Sequence, residues 1–254
     1  MLEIIQIPVL NDNYIYLIND PVSGVTAVVD PALAGPVLDR LAENSWPLTY
    51  IFNTHHHWDH VGGNLELKQK VGCQIVASKN DQHRIPGIDL LVQENDRIML
   101  GSHPVVIFET PGHTIGHIVY YFPEDSLLFC GDTLFVMGCG RLFEGTPEQM
   151  WHSLNKLKKL PDSTKIYCTH EYTQTNARFA LTIEPENEAL IAKAKMVDQL
   201  RAQDKPTVPS TIAEELATNP FLRVDNPNLQ STLNMQGAPA VEIFAEIRKR
   251  KDNF

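Results

Sequence analysis

Thr54-His55-His56-His57-Trp58-Asp59-His60 is the stretch on which the reading of this chain turns. Four imidazoles and a carboxylate crowd into positions 55 to 60, a dense supply of metal-ligand side chains. Ahead of it, Leu48-Thr49-Tyr50-Ile51-Phe52 is β-branched and aromatic, the composition of a short buried strand. Behind it, Val61-Gly62-Gly63-Asn64 predicts a turn into a helix. The cluster therefore stands where a strand ends and a loop begins, the usual place for ligands in α/β proteins. On extended backbone His55 and His57 point to one side and His56 to the other. Asp59 and His60 follow around the turn. The plain alternative is a run of surface histidines, which serves for a lone His-x-His but poorly for His-x-His-x-Asp-His at a strand end.

The same arrangement recurs along the chain. Pro104 to Glu109 reads as a strand and is followed by Thr110-Pro111-Gly112-His113; Ser126 to Cys130 runs into Gly131-Asp132-Thr133; Lys165 to Cys168 runs into Thr169-His170. Four strands each deliver a histidine or aspartate at the C-terminal end, and scattered histidines would not choose equivalent positions so often. The candidate ligands are thus His55, His57, Asp59, His60, His113, Asp132 and His170, too many for one catalytic ion, which keeps a place open for water. Two divalent ions with a shared carboxylate fit the set. His55, His57 and His113 are assigned to one ion and Asp59, His60 and His170 to the other, with Asp132 between them. Mixed imidazole and carboxylate ligation suits zinc first, with iron or manganese also permitted. Such a pair, about 3.5–4 Å apart, can hold a bridging hydroxide and polarise a carbonyl, so the expected chemistry is metal-assisted hydrolysis, with Asp59 and Asp132 as catalytic carboxylates. His117 is expected to support a ligand or a structural contact, and His83, His103 and His152 to be surface or loop residues.

The chain around these sites is that of a globular domain. Of its 254 residues 43% are hydrophobic and 20% charged, and the formal net charge of −10 argues against a nucleic-acid partner. No apolar run is long enough to span a bilayer, and Met1-Leu2-Glu3-Ile4-Ile5 carries an acid where a signal peptide carries base, so a cytoplasmic protein is expected. Cys73, Cys130, Cys139 and Cys168 form no C-x-x-C pair and read as buried thiols. Strands are expected at Leu2–Val9, Tyr14–Ile18, Thr26–Asp30 and Gln74–Ala77, and helices at Ala34–Asn44, Leu65–Val71 and Pro147–Leu160. Beyond residue 174 the strand pattern stops. Helices are expected at Glu186–Gln203, at Ile212–Ala217 behind a Ser210 or Thr211 cap, and at Ala238–Lys251 with Val241, Phe244 and Ile247 inward. This divides the chain into an α/β catalytic domain, 1–173, and a helical domain, 174–254.

Thr54 to His60, with Pro111-Gly112-His113-Thr114, Gly131-Asp132-Thr133 and Thr169-His170, resembles the metallo-β-lactamase superfamily. That resemblance implies an αββα sandwich with helices on both outer faces. A narrower resemblance is to the glyoxalase II family, the hydroxyacylglutathione hydrolases. It rests on Asn11-Asp12-Asn13-Tyr14, the full histidine stretch, Gly138 to Thr146, Thr169-His170-Glu171-Tyr172-Thr173 and Arg248-x-x-Lys251-Asp252. It implies hydrolysis of S-(2-hydroxyacyl)glutathione, typically S-D-lactoylglutathione, to glutathione and a 2-hydroxy acid, the second step of methylglyoxal detoxification. Glutathione contacts would fall to Arg141, Phe143, Tyr172, Arg248 and Lys251. Phe143 departs from those family members that carry tyrosine, and Arg141 stands where some carry lysine. Composition alone would read Arg248 to Lys251 as a solvated helix end complementing the dipole. Another hydrolase, a sulfur dioxygenase or a ribonuclease of the same fold are the competing enzymes, and a closed-shell metal sensor is the non-enzymatic alternative. A monomer is the default expectation.

Overall fold

The computed structural model describes residues 1–254. The chain forms two compact units, residues 1–110 with 115–131, and residues 111–114 with 132–254.

The first unit begins with the antiparallel strands β1 (Glu3–Val9), β2 (Asn13–Asp20) and β3 (Val25–Val29). Helix α1 (Ala34–Asn44) crosses to β4 (Tyr50–Phe52), which lies parallel to β3. Then come α2 (Trp58–Val61), α3 (Asn64–Val71), β5 (Gln74–Ser78) and β6 (Leu90–Val92), the strands continuing in parallel. Four antiparallel strands make a second sheet: β7 (Arg97–Leu100), β8 (His103–Glu109), β9 (Ile118–Phe122) and β10 (Leu127–Gly131). The two sheets pack face to face. Tyr120 of β9 stacks on Phe52 of β4 with ring centroids 4.7 Å apart, and its hydroxyl shares its one proton between the Asn53 and Val76 carbonyls, each 2.9 Å away. Burial drives the Tyr120 phenol well above its ordinary pKa, so this donor stays protonated. Val37 and Leu41 of α1 and Leu67 of α3 close the other face of the first sheet over Ile15, Leu17, Ile51 and Ile75. The spacing of Val37 and Leu41, one turn apart, is what turned the α1 stripe inward.

The second unit contains β11 (Leu134–Phe135), β12 (Gly138–Cys139), α4 (Pro147–Leu157), β13 (Lys165–Cys168), α5 (Thr173–Ile183), α6 (Glu188–Arg201), β14 (Ser210–Thr211), α7 (Ile212–Thr218), α8 (Pro227–Leu233) and α9 (Ala240–Asp252). Thr146 and Thr211 each head a reciprocal capping box with Gln149 and Glu214, which fixes where α4 and α7 begin.

Several local expectations change. The turn expected after His60 is preceded by α2, so Asp59 and His60 ride on one helical turn. β9 was not anticipated: all five of its residues are buried, and a continuous apolar run carries no alternation. β6 and β7 also went unread. Helix α4 stops at Leu157 rather than Leu160, because Pro161 restricts the residue before it. Helix α5 was missed since Thr173-Gln174-Thr175-Asn176 opens it with indifferent helix formers. The strand pattern does not end at 174, for β14 pairs antiparallel with β13. In α9 the inward residues are Ile243, Phe244, Ile247 and Arg248, while Val241 is only half-buried. His103 lies in β8 rather than in a loop, its Nδ1 2.7 Å from Asp125.

Candidate metal centre

Asp30 organises the candidate ligands of the first unit. It ends β3 with a left-handed backbone, φ 47°, which turns its buried carboxylate toward the end of β4. There Oδ1 accepts the Thr54 N–H at 2.8 Å and Oδ2 accepts the Thr54 hydroxyl at 2.7 Å. The single hydroxyl proton of Thr54 is therefore committed, and its oxygen, 3.0 Å from His55 Nδ1, accepts from that ring. Asp30 Oδ2 also lies 3.0 Å from His60 Nδ1. Both rings thereby carry the proton on Nδ1 and the lone pair on Nε2, the tautomer that a metal-binding imidazole takes when its other nitrogen donates to a carboxylate or hydroxyl. Asp30, His55 and His60 bring donor atoms within 4.8 Å of one another. Asp30 accepts from Thr54 and from His60, which orients the candidate ligands His55 and His60. The sequence carried a signal for it, an aspartate before Pro31 at a strand end, but nothing in the pattern separated that from a turn.

His55 Nε2 faces His57 Nδ1 at 3.0 Å, as the alternation along the extended segment predicts. His56 points away, its Nδ1 3.3 Å from the buried Asp81, which Arg84 also holds. Asp59 Oδ2 lies 3.6 Å from His60 Nε2 and accepts the Asn13 side-chain amide at 3.0 Å, while the Asp59 carbonyl takes a second contact from that amide at 3.3 Å. Asn13 thus has a role that its motif did not disclose. His117, fully buried, stacks on His55 at 4.8 Å and places Nδ1 3.0 Å from Thr110 Oγ1.

The second unit holds His113, Asp132 and His170. Asp132 Oδ2 lies 3.5 Å from His113 Nε2 and 3.4 Å from His170 Nε2, so one carboxylate oxygen faces two imidazole nitrogens almost symmetrically. Both separations exceed a good N–H···O bond. His113 Nδ1 is 2.9 Å from the Arg141 carbonyl, which accepts its proton and leaves the lone pair on Nε2. Gly140 is required for that approach, since a Cβ there would run into the Asp132 carbonyl. Burial pushes the Cys139 thiol up to about 11 and the Cys168 thiol to about 12, which keeps both protonated at neutral pH and unsuited to act as nucleophiles, and neither belongs to a group of converging metal-type donors.

The five candidate substrate residues lie in this second unit. Tyr172 stacks on the His170 ring at 4.7 Å with an interplanar angle of 2°, and Phe143, 63% exposed, packs edge-on against His113 at 5.1 Å. Arg248 is 4% exposed, not the solvated helix end that composition suggested. Its Nη1 donates to the Cys139 carbonyl at 2.8 Å, Nη2 is 2.8 Å from Asp252 Oδ1, and its guanidinium lies 5.1 Å over the Phe221 ring. Arg141 Nε is 3.8 Å from the same Asp252 oxygen. Burial, reinforced by Arg248 and Arg141, lowers Lys251 to about 8. Three cations around one carboxylate form a local basic patch on an acidic chain, which suits an anionic ligand.

The donors present fit divalent ions: imidazole nitrogens with tautomers set by neighbouring acceptors, and carboxylates, with no thiolate.

A family model described as "Metallo-beta-lactamase superfamily" matches residues 10–170, and one described as "Hydroxyacylglutathione hydrolase C-terminus" matches residues 171–254. The chain is 57% identical over 254 residues to a hydroxyacylglutathione hydrolase of Methylococcus capsulatus, covering 100% of this chain and 99% of that one. It is 54% identical over 253 residues to one of Rhodospirillum rubrum, with 100% and 99% covered. Among solved structures, ETHE1 from Myxococcus xanthus shares the fold at a TM-score of 0.69 and 24% identity, covering 97% of this chain and 96% of that one.

Proposed function

The chain belongs to the hydroxyacylglutathione hydrolases of the metallo-β-lactamase superfamily, and from that membership we propose that it hydrolyses S-(2-hydroxyacyl)glutathione, S-D-lactoylglutathione first, to glutathione and the 2-hydroxy acid. The observation that carries the reading is the Asp132 oxygen set 3.5 Å and 3.4 Å from two imidazole nitrogens, the disposition of a carboxylate shared by two cations. His55, His57 and His113 would hold one ion and Asp59, His60 and His170 the other, with Asp132 common to both. Zinc is the first choice, and iron or manganese fit the same donors. Divalent ions there supply Lewis acidity and lower the pKa of water toward neutrality.

The chain's own residues do the rest. Asn13 holds Asp59 and Asp30 holds His60, so the ligand atoms are preorganised rather than gathered at the moment of reaction. Arg141, Arg248 and Lys251 would bind glutathione carboxylates through charge-assisted hydrogen bonds, with Tyr172 and Phe143 lining the same side. The thiolate leaving group needs little protonation, so no general acid is required, and none of the four buried thiols competes as a nucleophile. A boundary near residue 173, close to where the two family models meet, would separate the metal-bearing part from the helical part that carries Arg248 and Lys251. The reading places the reaction in methylglyoxal detoxification, in a cytoplasmic monomer. No helix is long and apolar enough to cross a membrane.

The test is loss of thioester absorbance from S-D-lactoylglutathione on purified protein of known metal content. Turnover with about two ions per chain supports the proposal. A protein with two ions and no turnover on this thioester refutes the substrate. Turnover that persists after complete chelation refutes the metal centre.

A further inference from the structure

Between the Asp132 carboxylate and the Arg141 carbonyl that orients His113, the chain makes a tight buried hairpin, β11–β12. Its turn is Val136-Met137, and Met137 is fully buried with a left-handed backbone, φ 54°, a region that non-glycine residues seldom enter. A buried turn leaves backbone polar groups that water cannot reach. Here side chains from the helices meet them. Glu215 of α7 accepts the Met137 N–H at 2.7 Å, Asn219 donates to the Phe135 and Gly138 carbonyls at 3.2 and 2.9 Å, and Asn176 donates to the Val136 carbonyl at 3.1 Å.

Glu215 is the hub. It is 0% exposed, and its carboxylate takes four contacts: Met137 N–H and Asn219 Nδ2 (3.0 Å) on Oε2, Lys193 Nζ (2.8 Å) and Ser210 Oγ (2.6 Å) on Oε1. Lys193, 8% exposed, is its buried counter-charge from α6. A fully coordinated buried carboxylate tied to a strained turn is an expensive arrangement for mere stability, since an apolar core would serve as well. Its geometric consequence is specific: the turn is fixed with Asp132 at its entrance and Arg141 at its exit.

We propose that Glu215 is a positioning residue for the metal centre, holding the 134–139 hairpin so that Asp132 and the acceptor of His113 keep their places. This rests on the metal-centre reading above. The substrate contacts at Arg141 and Phe143 follow the same hairpin, so the helical segment would set both ligand geometry and substrate geometry through one carboxylate.

Substituting Glu215 alone leaves the buried Lys193 charge with only the more distant Glu214, 3.5 Å away, and risks the fold, so the informative comparison is between two neutralised pairs. Lys193→Met with Glu215→Gln removes both charges but keeps an oxygen acceptor for the Met137 N–H. Lys193→Met with Glu215→Ala removes the acceptor too. The readouts are metal content after purification and the rate of metal release to a chelator. A buried apolar truncation in α6, the helix that carries Lys193, Val197→Ala, serves as the control for general destabilisation. The Gln pair is expected to retain two ions and release them at close to the wild-type rate. The Ala pair is expected to lose affinity by about 10- to 100-fold, the scale of a lost outer partner of a ligand. Equal metal retention by both pairs, or loss by the Ala pair no greater than in Val197→Ala at matched thermal stability, overturns the inference. Failure of the wild-type chain to bind metal would instead overturn the reading on which it rests.

Discussion

Lys251 offers the sharpest test of the anion patch. Its ammonium lies 5.3 Å from the centroids of both Phe179 and Phe254 and 3.4 Å from the Thr175 carbonyl, beside Arg248 and Arg141. Burial is the largest cause of its lowered pKa, the two guanidiniums add to it, and Asp252 opposes them, leaving it at about 8. At about pH 7 roughly nine in ten free enzyme molecules then carry the charge, and at about pH 9 roughly one in ten. A hydrogen bond to a charged group is worth about 1.5–3 kcal/mol, so its loss weakens glutathione binding by about 10- to 100-fold. Because kcat/KM reports the free enzyme, it should fall along a limb near pH 8 through KM, with kcat little changed. In Lys251→Arg the guanidinium stays charged and the limb should vanish, while Lys251→Met should show the weakened value already at neutral pH. A limb near pH 8 that survives in Lys251→Arg refutes the assignment.

The same shift has a consequence for stability, opposite in sign. A lysine whose folded pKa lies below its unfolded value binds its proton more weakly in the folded state. Its charge therefore works against folding at neutral pH, and that penalty is relieved as pH rises from about 8 toward the unfolded value of 10.5. Lys251→Met should thus raise the melting temperature at neutral pH, with the gain shrinking through that window. A residue that costs stability and supplies affinity is what a binding site requires.

Three further outcomes follow from the geometry. Asp132→Asn should leave the purified protein with less than two ions and cut turnover by more than the about 10- to 100-fold that an outer partner costs, measured by metal analysis and thioester hydrolysis. Asp30→Ala removes the acceptor of Thr54 and His60, and its metal affinity should fall by about 10- to 100-fold in chelator competition, with turnover restored by excess ion. Lys193→Met alone leaves the Glu215 carboxylate buried without a cation and should destabilise the fold by about 3–5 kcal/mol. In a chain of this size that is a drop in melting temperature of roughly 6–20 °C.

What the sequence disclosed and what it withheld divide along a physical line. Candidate ligands recur at strand ends, and strand ends are marked by a change from β-branched to small or polar residues, so Asp132 and His170 stand out as candidates without any contact information. The helix α1 stripe was legible for the same reason, its period being local. Asp30, Asn13 and Glu215 were not, because their work is done across 24 to 78 residues of chain, on partners that no local pattern names. Arg248 failed differently. A basic run at a helix end has one composition whether it faces water or the Cys139 carbonyl and the Phe221 ring.

The positions where the backbone departs from its preferences bear on how the centre is built. Asp30, φ 47°, and Met137, φ 54°, are non-glycine residues in the left-handed region, a conformation that costs of order 1–3 kcal/mol where it is a true outlier. Neither is among the seven candidate ligands. Asp30 uses its turn to present one carboxylate to Thr54 and His60, and Met137 uses its own to hand an N–H to Glu215. Local strain is therefore placed one step behind the candidate ligands, where packing and full hydrogen bonding can hold it, and none of those candidates has a left-handed backbone. Glycine at either site would relax the backbone, yet it would also delete the Asp30 carboxylate or the buried Met137 side chain that makes the conformation single-valued. In the proposed centre, whose ligands would have to converge without the help of a covalent link, rigidity at those two turns would matter more than the strain they store.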